Sequence, residues 1–466
     1  MNDINIINAL IVRPEGVFKG CVGIKDGVIV SVTNGTDGID ATDEIDSAKV
    51  TVNADDKLLF PGMIDSHVHI KGGKLSHRED FGSGTMAAAA GGVTTVMEMP
   101  VCDPPASKKD TFLHRKSEAE KEAYVDFCLY GGAGADNIEE ISKLAGIGAI
   151  AFKTFLMPPV KGRENEFYGL CSRTYEELLT VMEETAKTGR MLAVHSELNE
   201  YIEPLTEEFI NEGKDGLIAF CESRPEIAET EAVKRVIKAA KHSGCKASVC
   251  HVSTAEAAML IHEAQEQNID IHGETCPQYL IFDKDTAAPA GVFARIKPPY
   301  RDRSTVKKLM ELYSKGYLEF TGSDHAPYLY EEKIKNGYSI WKTFDGLPGL
   351  ELSLRLLLNE VEKGRLTYER IAQNTSENTA KLFNIYPRKG RIEIGADADL
   401  VLISRLNKPE LVIIENLFTK SKGSAKLFEG IPLRYKIEET YVRGQKVFSN
   451  GKISGQKGWG KFMRPL

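Results

Sequence analysis

Near both ends of the chain, short apolar runs are broken by tight turns. In the middle, apolar runs alternate with amphipathic stretches. Residues 5–12 and 21–24 read as strands. Lys25-Asp26-Gly27, followed by the apolar run 27–32, predicts a hairpin, because Asp-Gly between two such runs favours a tight reversal. The same texture returns at 398–403 and again at 440–448, where it predicts a second hairpin. Two β-rich ends around a different middle predict one discontinuous β-sandwich domain, formed where the termini meet. Between them lie eight β-type runs, at 63–69, 93–100, 125–131, 149–156, 191–197, 247–253, 269–275 and 318–324. Helical patterns such as 174–187, 229–241 and 254–267 separate them, and Thr174 three residues before Glu177 predicts a capping box. Strands alternating with helices imply a parallel sheet, and eight of them fit a (β/α)8 TIM-like barrel. An open doubly wound sheet competes less well, since no GxGxxG follows the first strand. The expected boundaries are 1–60 for the N-terminal part of the sandwich, 61–385 for the barrel, and 386–466 for the C-terminal part and tail. Residues 206–225 read as a helical excursion after strand five, and 327–347 as a long aperiodic loop after strand eight.

Composition narrows the partners. A net charge of −8 with no Lys/Arg block excludes a general attraction to nucleic acid or anionic membrane. No signal-peptide pattern opens the chain and no apolar run is long enough to span a bilayer. The eight cysteines form no CxxC pair, and several sit in apolar runs, which points to a reduced, cytoplasmic setting.

The candidate chemistry stands at the C-terminal ends of the strands, where barrel active sites form. Strand one ends in His67 and His69, whose i, i+2 spacing places both imidazoles on one face of an extended chain. Strand four carries Lys153, strand five ends at His195, strand six at His251, and strand eight at Asp324. Each has a structural alternative: a hydrogen-bonded rim histidine, a snorkelling lysine, a helix-capping aspartate. Six such groups on five strands, all at one end, are poorly explained by coincidence. Four imidazoles and a carboxylate suit zinc or another borderline divalent ion, and Lys153 joins them as a ligand only if its amine is modified. The other histidines (77, 114, 242, 262, 272 and 325) fit helices, loops or supporting places, with His325 placed to orient Asp324.

These positions lie in PGMIDSHVH (61–69), AFKTF (151–155), AVHSE (193–197), VCHVS (249–253) and GSDHAP (322–327). With AAAAGGVTTVMEMP (87–100), GETCPQYL (273–280), KPPYR (297–301) and IGADADLVLI (394–403), the chain resembles the amidohydrolase superfamily over nearly its whole length. Within it, the pattern is similar to the cyclic amidohydrolases: hydantoinases, allantoinases, dihydropyrimidinases and dihydroorotases. The resemblance implies two divalent metal ions, zinc by preference. His67, His69 and Asp324 would hold one and His195 and His251 the other, with a CO₂-derived carbamate on Lys153 bridging them. It further implies hydrolysis of a ring amide with Asp324 as proton carrier, a small-molecule cyclic amide as substrate, and a homotetramer or homodimer.

The ring itself is less constrained. Dihydroorotases carry an arginine where this chain has Lys71, D-hydantoinases and dihydropyrimidinases a tyrosine where it has Pro158, and allantoinases and dihydroorotases more often a histidine where it has Gln278. Lys297 and Asp345 bring one charge of each sign to the expected pocket rim, either to contact substrate or to pair with each other. VMEMPVCDPP (96–105), VDFCLYGG (125–132) and LPGLELSL (347–354) favour the L-hydantoinase and allantoinase branch over dihydropyrimidinase or dihydroorotase. Filled ligand positions argue against a non-enzymatic scaffold of this fold, and Lys153 against a mononuclear deaminase.

Overall fold

The computed structural model describes residues 1–34 and 45–466; within the N-terminal β-rich stretch, 35–44 lie outside the described residues. The chain opens with β1 (Asn2–Arg13), β2 (Gly16–Lys25), β3 (Val28–Asn34), β4 (Ala48–Asn53) and β5 (Leu58–Pro61). The Asp-Gly hairpin joins β2 to β3, pairing Lys25 with Val28.

Gly62 then turns the chain into the barrel, packed so closely on Thr94 that a Cβ at this position would fall 2.1 Å from its Oγ1. The barrel strands are β6 (Met63–Val68), β7 (Val93–Glu98), β8 (Asp126–Leu129) continued by β9 (Gly131–Gly132), β10 (Phe152–Phe155), β11 (Leu192–His195), β12 (Ala247–Val249), β13 (Ile271–Thr275) and β14 (Phe320–Thr321). All pair in parallel, in chain order. Closure comes from a parallel bridge between Val68 and His325, where the His69 amide donates to the His325 carbonyl at 2.7 Å. At this seam Gly322 lies against β6, and a Cβ there would meet that of His67 at 2.6 Å. The strands are buried on both faces, as expected of a parallel sheet wrapped by helices. Helices Phe81–Ala90, Lys109–Glu122, Ile141–Gly146, Tyr175–Ala186, Glu226–Ser243, Ala255–Glu266 and Arg303–Lys315 cross between strands, and Ser353–Glu362 follows the last.

The C-terminal strands are β15 (Leu400–Leu411), β16 (Pro432–Val442), β17 (Gln445–Ser449) and β18 (Lys452–Ile453). They join the N-terminal strands in one nine-stranded sheet because β5 pairs with β1 on one side and with β15 on the other. Ile6, Ile11, Val22, Leu59, Leu400 and Tyr441 share its core, so neither end of the chain can bury its apolar face alone. The fold is thus an α/β barrel with a discontinuous β-domain built from both ends.

Two local expectations change. Thr174 does accept from the Glu177 amide at 3.2 Å. The reciprocal half of the box is missing, because the Glu177 carboxylate turns to the amide and guanidinium of Arg173. Residues 327–347 are better ordered than their aperiodic sequence suggests. They contain the short helix Tyr330–Ile334 and are tied down by buried Lys333, which donates to the carbonyls of Val292, Arg295 and Phe344. The Trp341 indole donates to the Lys214 carbonyl at 2.8 Å, fastening the segment to the excursion formed by helices Asn199–Asn211 and Leu217–Glu222.

Barrel and sheet meet at a buried ionic knot. Lys389, with a fully buried side chain, reaches Asp126 at the start of β8, and also Asp399 at 2.6 Å and Asp397 at 3.0 Å. Arg443 at the end of β16 closes on Asp126 as well. Burial alone would lower the Lys389 ammonium's pKa, but the three carboxylates outweigh it and hold the group protonated. Removing one partner of such a cluster leaves uncompensated charge in a low-dielectric interior. We therefore expect Lys389→Met to cost about 3–5 kcal/mol, read in a chain of 466 residues as a fall in melting temperature of roughly 3–5 °C; a change within about 1 °C would refute the role assigned to it.

Candidate functional site

The six chemistry-bearing residues read from the strand ends converge in one cavity of about 100 Å³ at the C-terminal mouth of the barrel. His67 is the penultimate residue of β6, and His69 follows its end. Their rings lie 5.3 Å apart, and the Nε2 atoms of both stand 3.4 Å from Asp324 Oδ1. These three residues present ligand atoms within 4.8 Å of one another. From the ends of β11 and β12, His195 Nδ1 and His251 Nε2 face each other at 3.0 Å. Lys153 on β10 is fully buried, its Nζ 2.9 Å from Cys250 Sγ and above the Phe155 ring. Two of these positions are held in left-handed backbone, His251 at φ 39° and Asp324 at φ 49°. Non-glycine residues adopt that region at a cost and concentrate at functional sites.

A layer of carboxylates fixes the imidazoles. Glu274 on β13 takes the His67 Nδ1 at 2.7 Å, the Ser66 hydroxyl at 2.8 Å and the His251 amide at 3.2 Å. Glu197 takes the His195 Nε2 at 3.0 Å and is itself clamped by the Arg224 guanidinium through two bonds. Asp65 accepts from the amides of His67 and Ser323, linking the first strand to the residue before Asp324. With their outer nitrogens engaged, His67 and His195 turn Nε2 and Nδ1, respectively, toward the cavity.

The electrostatics divide the four imidazoles. Burial lowers the pKa of His69 to about 3, of His195 below its ordinary value, and of His251 well below it, leaving neutral rings with a free lone pair. Burial acts the same way on His67, yet the Glu274 and Asp324 carboxylates outweigh it and raise that ring to about 10. Asp324, penalised by burial, is drawn below its ordinary value by His67 and His69. A positive charge is thus favoured between His67 and Asp324. Neutral nitrogens converge beside it, and this combination suits a cation of the borderline class. His69 Nδ1 and His251 Nδ1 are buried without a hydrogen-bond partner among the described residues.

Other sequence-level candidates are placed differently. His325 turns its ring away from Asp324: Nδ1 meets the Leu350 amide at 3.4 Å and Nε2 lies 3.6 Å from Glu79. Lys297 and Asp345 both line the cavity and pair with each other at 3.0 Å, and Asp345 also meets Arg295 at 2.6 Å. Gln278 spans from the helix after β13 to the Ser323 carbonyl at 3.0 Å. Lys71 lines the wall, 2% exposed, and burial pushes its ammonium down to about 8. Sequence reasoning passed over Glu274, Glu197, Arg224, Arg163 and Tyr328. Glu274 and Glu197 had a usable signal, being carboxylates at strand ends. Arg163 and Tyr328 lie in loops whose path no periodicity reveals.

Comparison with known proteins places this arrangement in a lineage. The model of the amidohydrolase family matches residues 58–447. The chain is 34% identical to an L-hydantoinase of Paenarthrobacter aurescens over 465 residues, covering 99% of this chain and 98% of that protein. An allantoinase of Bacillus velezensis is 32% identical, again over 99% and 98% of the two chains. The solved structure of L-hydantoinase (dihydropyrimidinase) from Arthrobacter aurescens superposes with a TM-score of 0.93, at 33% identity over the full length of both chains. Shared sequence from β5 to β17, with shared architecture throughout, has one explanation: the chain belongs to the amidohydrolase family.

Proposed function

We propose that this protein hydrolyses the amide C–N bond of a five-membered cyclic ureide, a hydantoin or allantoin-type ring, using two divalent metal ions, zinc by donor chemistry. The observation that carries the reading is the convergence of His67 Nε2, His69 Nε2 and Asp324 Oδ1 beside Lys153, His195 and His251 in one cavity. His67, His69 and Asp324 would hold one ion, and His195 and His251 the other. Lys153 would take part in both as a CO₂-derived carbamate, since a free ammonium between two cations would be repelled. When bound, the ions supply Lewis acidity toward a carbonyl and make water acidic enough to be a nucleophile near neutral pH.

The protein's own groups do the rest. Asp324 is ionised at neutral pH and faces the cavity, so it can take a proton from the attacking water and return it to the departing ring nitrogen. Glu274 and Glu197 engage the outer nitrogens of His67 and His195, so the inward nitrogen of each is the one a metal ion would take, a support whose loss typically costs 10–100-fold in metal affinity. Phe155, Met157, Val160 and Phe167 give the cavity an apolar side that limits water around the ring.

The same reading covers the rest of the molecule. Residues 61–385 act as the catalytic barrel, with 1–60 and 386–466 as its β-lobe, in a homodimer or homotetramer. All eight cysteines are free and buried, which suits a cytoplasmic setting, and no helix among the described residues is long and apolar enough to cross a membrane.

Four outcomes test this. Metal-reconstituted protein should open hydantoin, 5-substituted hydantoins or allantoin faster than dihydrouracil or dihydroorotate; no turnover on any of them sinks the reading. Lys153→Ala should retain less than half an equivalent of metal by elemental analysis, and Asp324→Asn should lose at least about 10³-fold in kcat. Near-normal activity in either variant would contradict the mechanism. Finally, below about 10 the His67 ring carries a proton that a metal ion must displace. Apparent zinc affinity of metal-free protein should therefore rise about tenfold per pH unit between pH 6 and 8. A flat profile would remove His67 from the ligand set.

A further inference from the structure

Resting on that reading, we propose that Cys250 and Lys153 form an oxidant-sensitive pair that governs when the metal centre can be assembled. In the metal-free protein, hydrogen peroxide joins Sγ to Nζ as a sulfenamide and closes the amine to CO₂. Lys153 of β10 pairs across the sheet with Ala193 of β11, which pairs in turn with Ser248 of β12. Cys250 follows two residues after Ser248, so the lysine side chain reaches it over a strand that bears only a methyl at that level. Nζ and Sγ meet at 2.9 Å. Among the described residues the thiol is the amine's hydrogen-bond partner, with the Phe155 ring 4.9 Å from Nζ on another side.

The backbone holds the sulfur in this place. The Cys250 amide donates to the Val194 carbonyl at 3.1 Å, and the next amide, that of His251, donates to Glu274 at 3.2 Å. Sγ also lies within 4.8 Å of ligand atoms of His67 and Glu274. Lys153, His67 and His251 line the cavity, so an oxidant as small as peroxide meets the pair from the side that substrate would use. The sulfurs of Cys102, Cys171 and Cys245 face backbone carbonyls instead, which offer no nitrogen to bond. At Cys250, peroxide transfers one oxygen to Sγ, giving the sulfenic acid and one water; sulfur loses two electrons and peroxide gains them. The Nζ lone pair then attacks the sulfenyl sulfur. An S–N bond forms, the S–O bond breaks, and the departing hydroxide takes an amine proton to leave as a second water. Carbamylation draws on the same lone pair. A linked Nζ therefore cannot carry the bridge between the ions, and a carbamylated Nζ cannot be linked. Two equivalents of an added thiol reduce the S–N bond, restoring amine and thiol and leaving as their own disulfide.

The test treats full-length, metal-free protein with hydrogen peroxide, then follows it by peptide mass spectrometry and by zinc uptake in bicarbonate buffer. Peptides carrying Lys153 and Cys250 should appear joined, with two hydrogens lost and no oxygen gained. Zinc uptake should fall at least about fivefold, and dithiothreitol should restore it to within about twofold. Protein loaded beforehand with bicarbonate and zinc should resist the oxidant. Cys250→Ser and Cys250→Ala, each checked by thermal melt, should take up zinc equally before and after peroxide. Peroxide that leaves the two peptides of wild type separate overturns the proposal. So does linkage that leaves zinc uptake unchanged, or an equal loss of uptake in the folded Cys250 variants. If untreated wild type takes up zinc equally without bicarbonate, the carbamate assignment fails, and the linked peptide still decides the coupling.

Discussion

Where β6 meets β14 the barrel closes across a gap with no room for a side chain at Gly322, and everything at the catalytic mouth depends on that approach. The seam holds through the Val68–His325 bridge and through Asp65, which accepts amides from both sides. It brings Asp324, more than two hundred and fifty residues away in sequence, to within 3.4 Å of two imidazoles. A bulkier residue at Gly322 would part the strands and disperse the cluster in which His67, His69 and Asp324 share a centre.

The charge pattern around the cavity follows from the cost of burial. Carboxylates behind the imidazoles are each hydrogen-bonded at least twice, as Glu274 and Glu197 are, so their negative charge can persist away from water. Lys297 and Arg295 share the single carboxylate of Asp345, which explains how charges of both signs sit together at the rim.

The β-domain contributes by constraint. Its β5 strand is sandwiched between strands from opposite ends of the chain and delivers the backbone directly into β6. The Lys389–Asp126–Asp399 knot pins the other contact between sheet and barrel. A catalytic strand entering from a mobile lobe would not keep two imidazoles within a fraction of an ångström, as ligation requires.

The sequence by itself determined the barrel, the strand ends and the residues that bring chemistry to them, because each is a local pattern: an apolar run, an i, i+2 histidine pair, a lysine inside a strand. The Asp26-Gly27 hairpin and the β15 and β16–β17 strands were legible for the same reason. Tertiary structure alone decided how those ends were used. That Glu177 would abandon its capping role for Arg173, that His325 would turn to Glu79, and that Asp345 would be taken by Lys297 and Arg295 are choices among partners distant in the chain or in competition. Periodicity reports which face of a segment is buried. Which charge meets which, once water is excluded, is settled only when the whole barrel has closed.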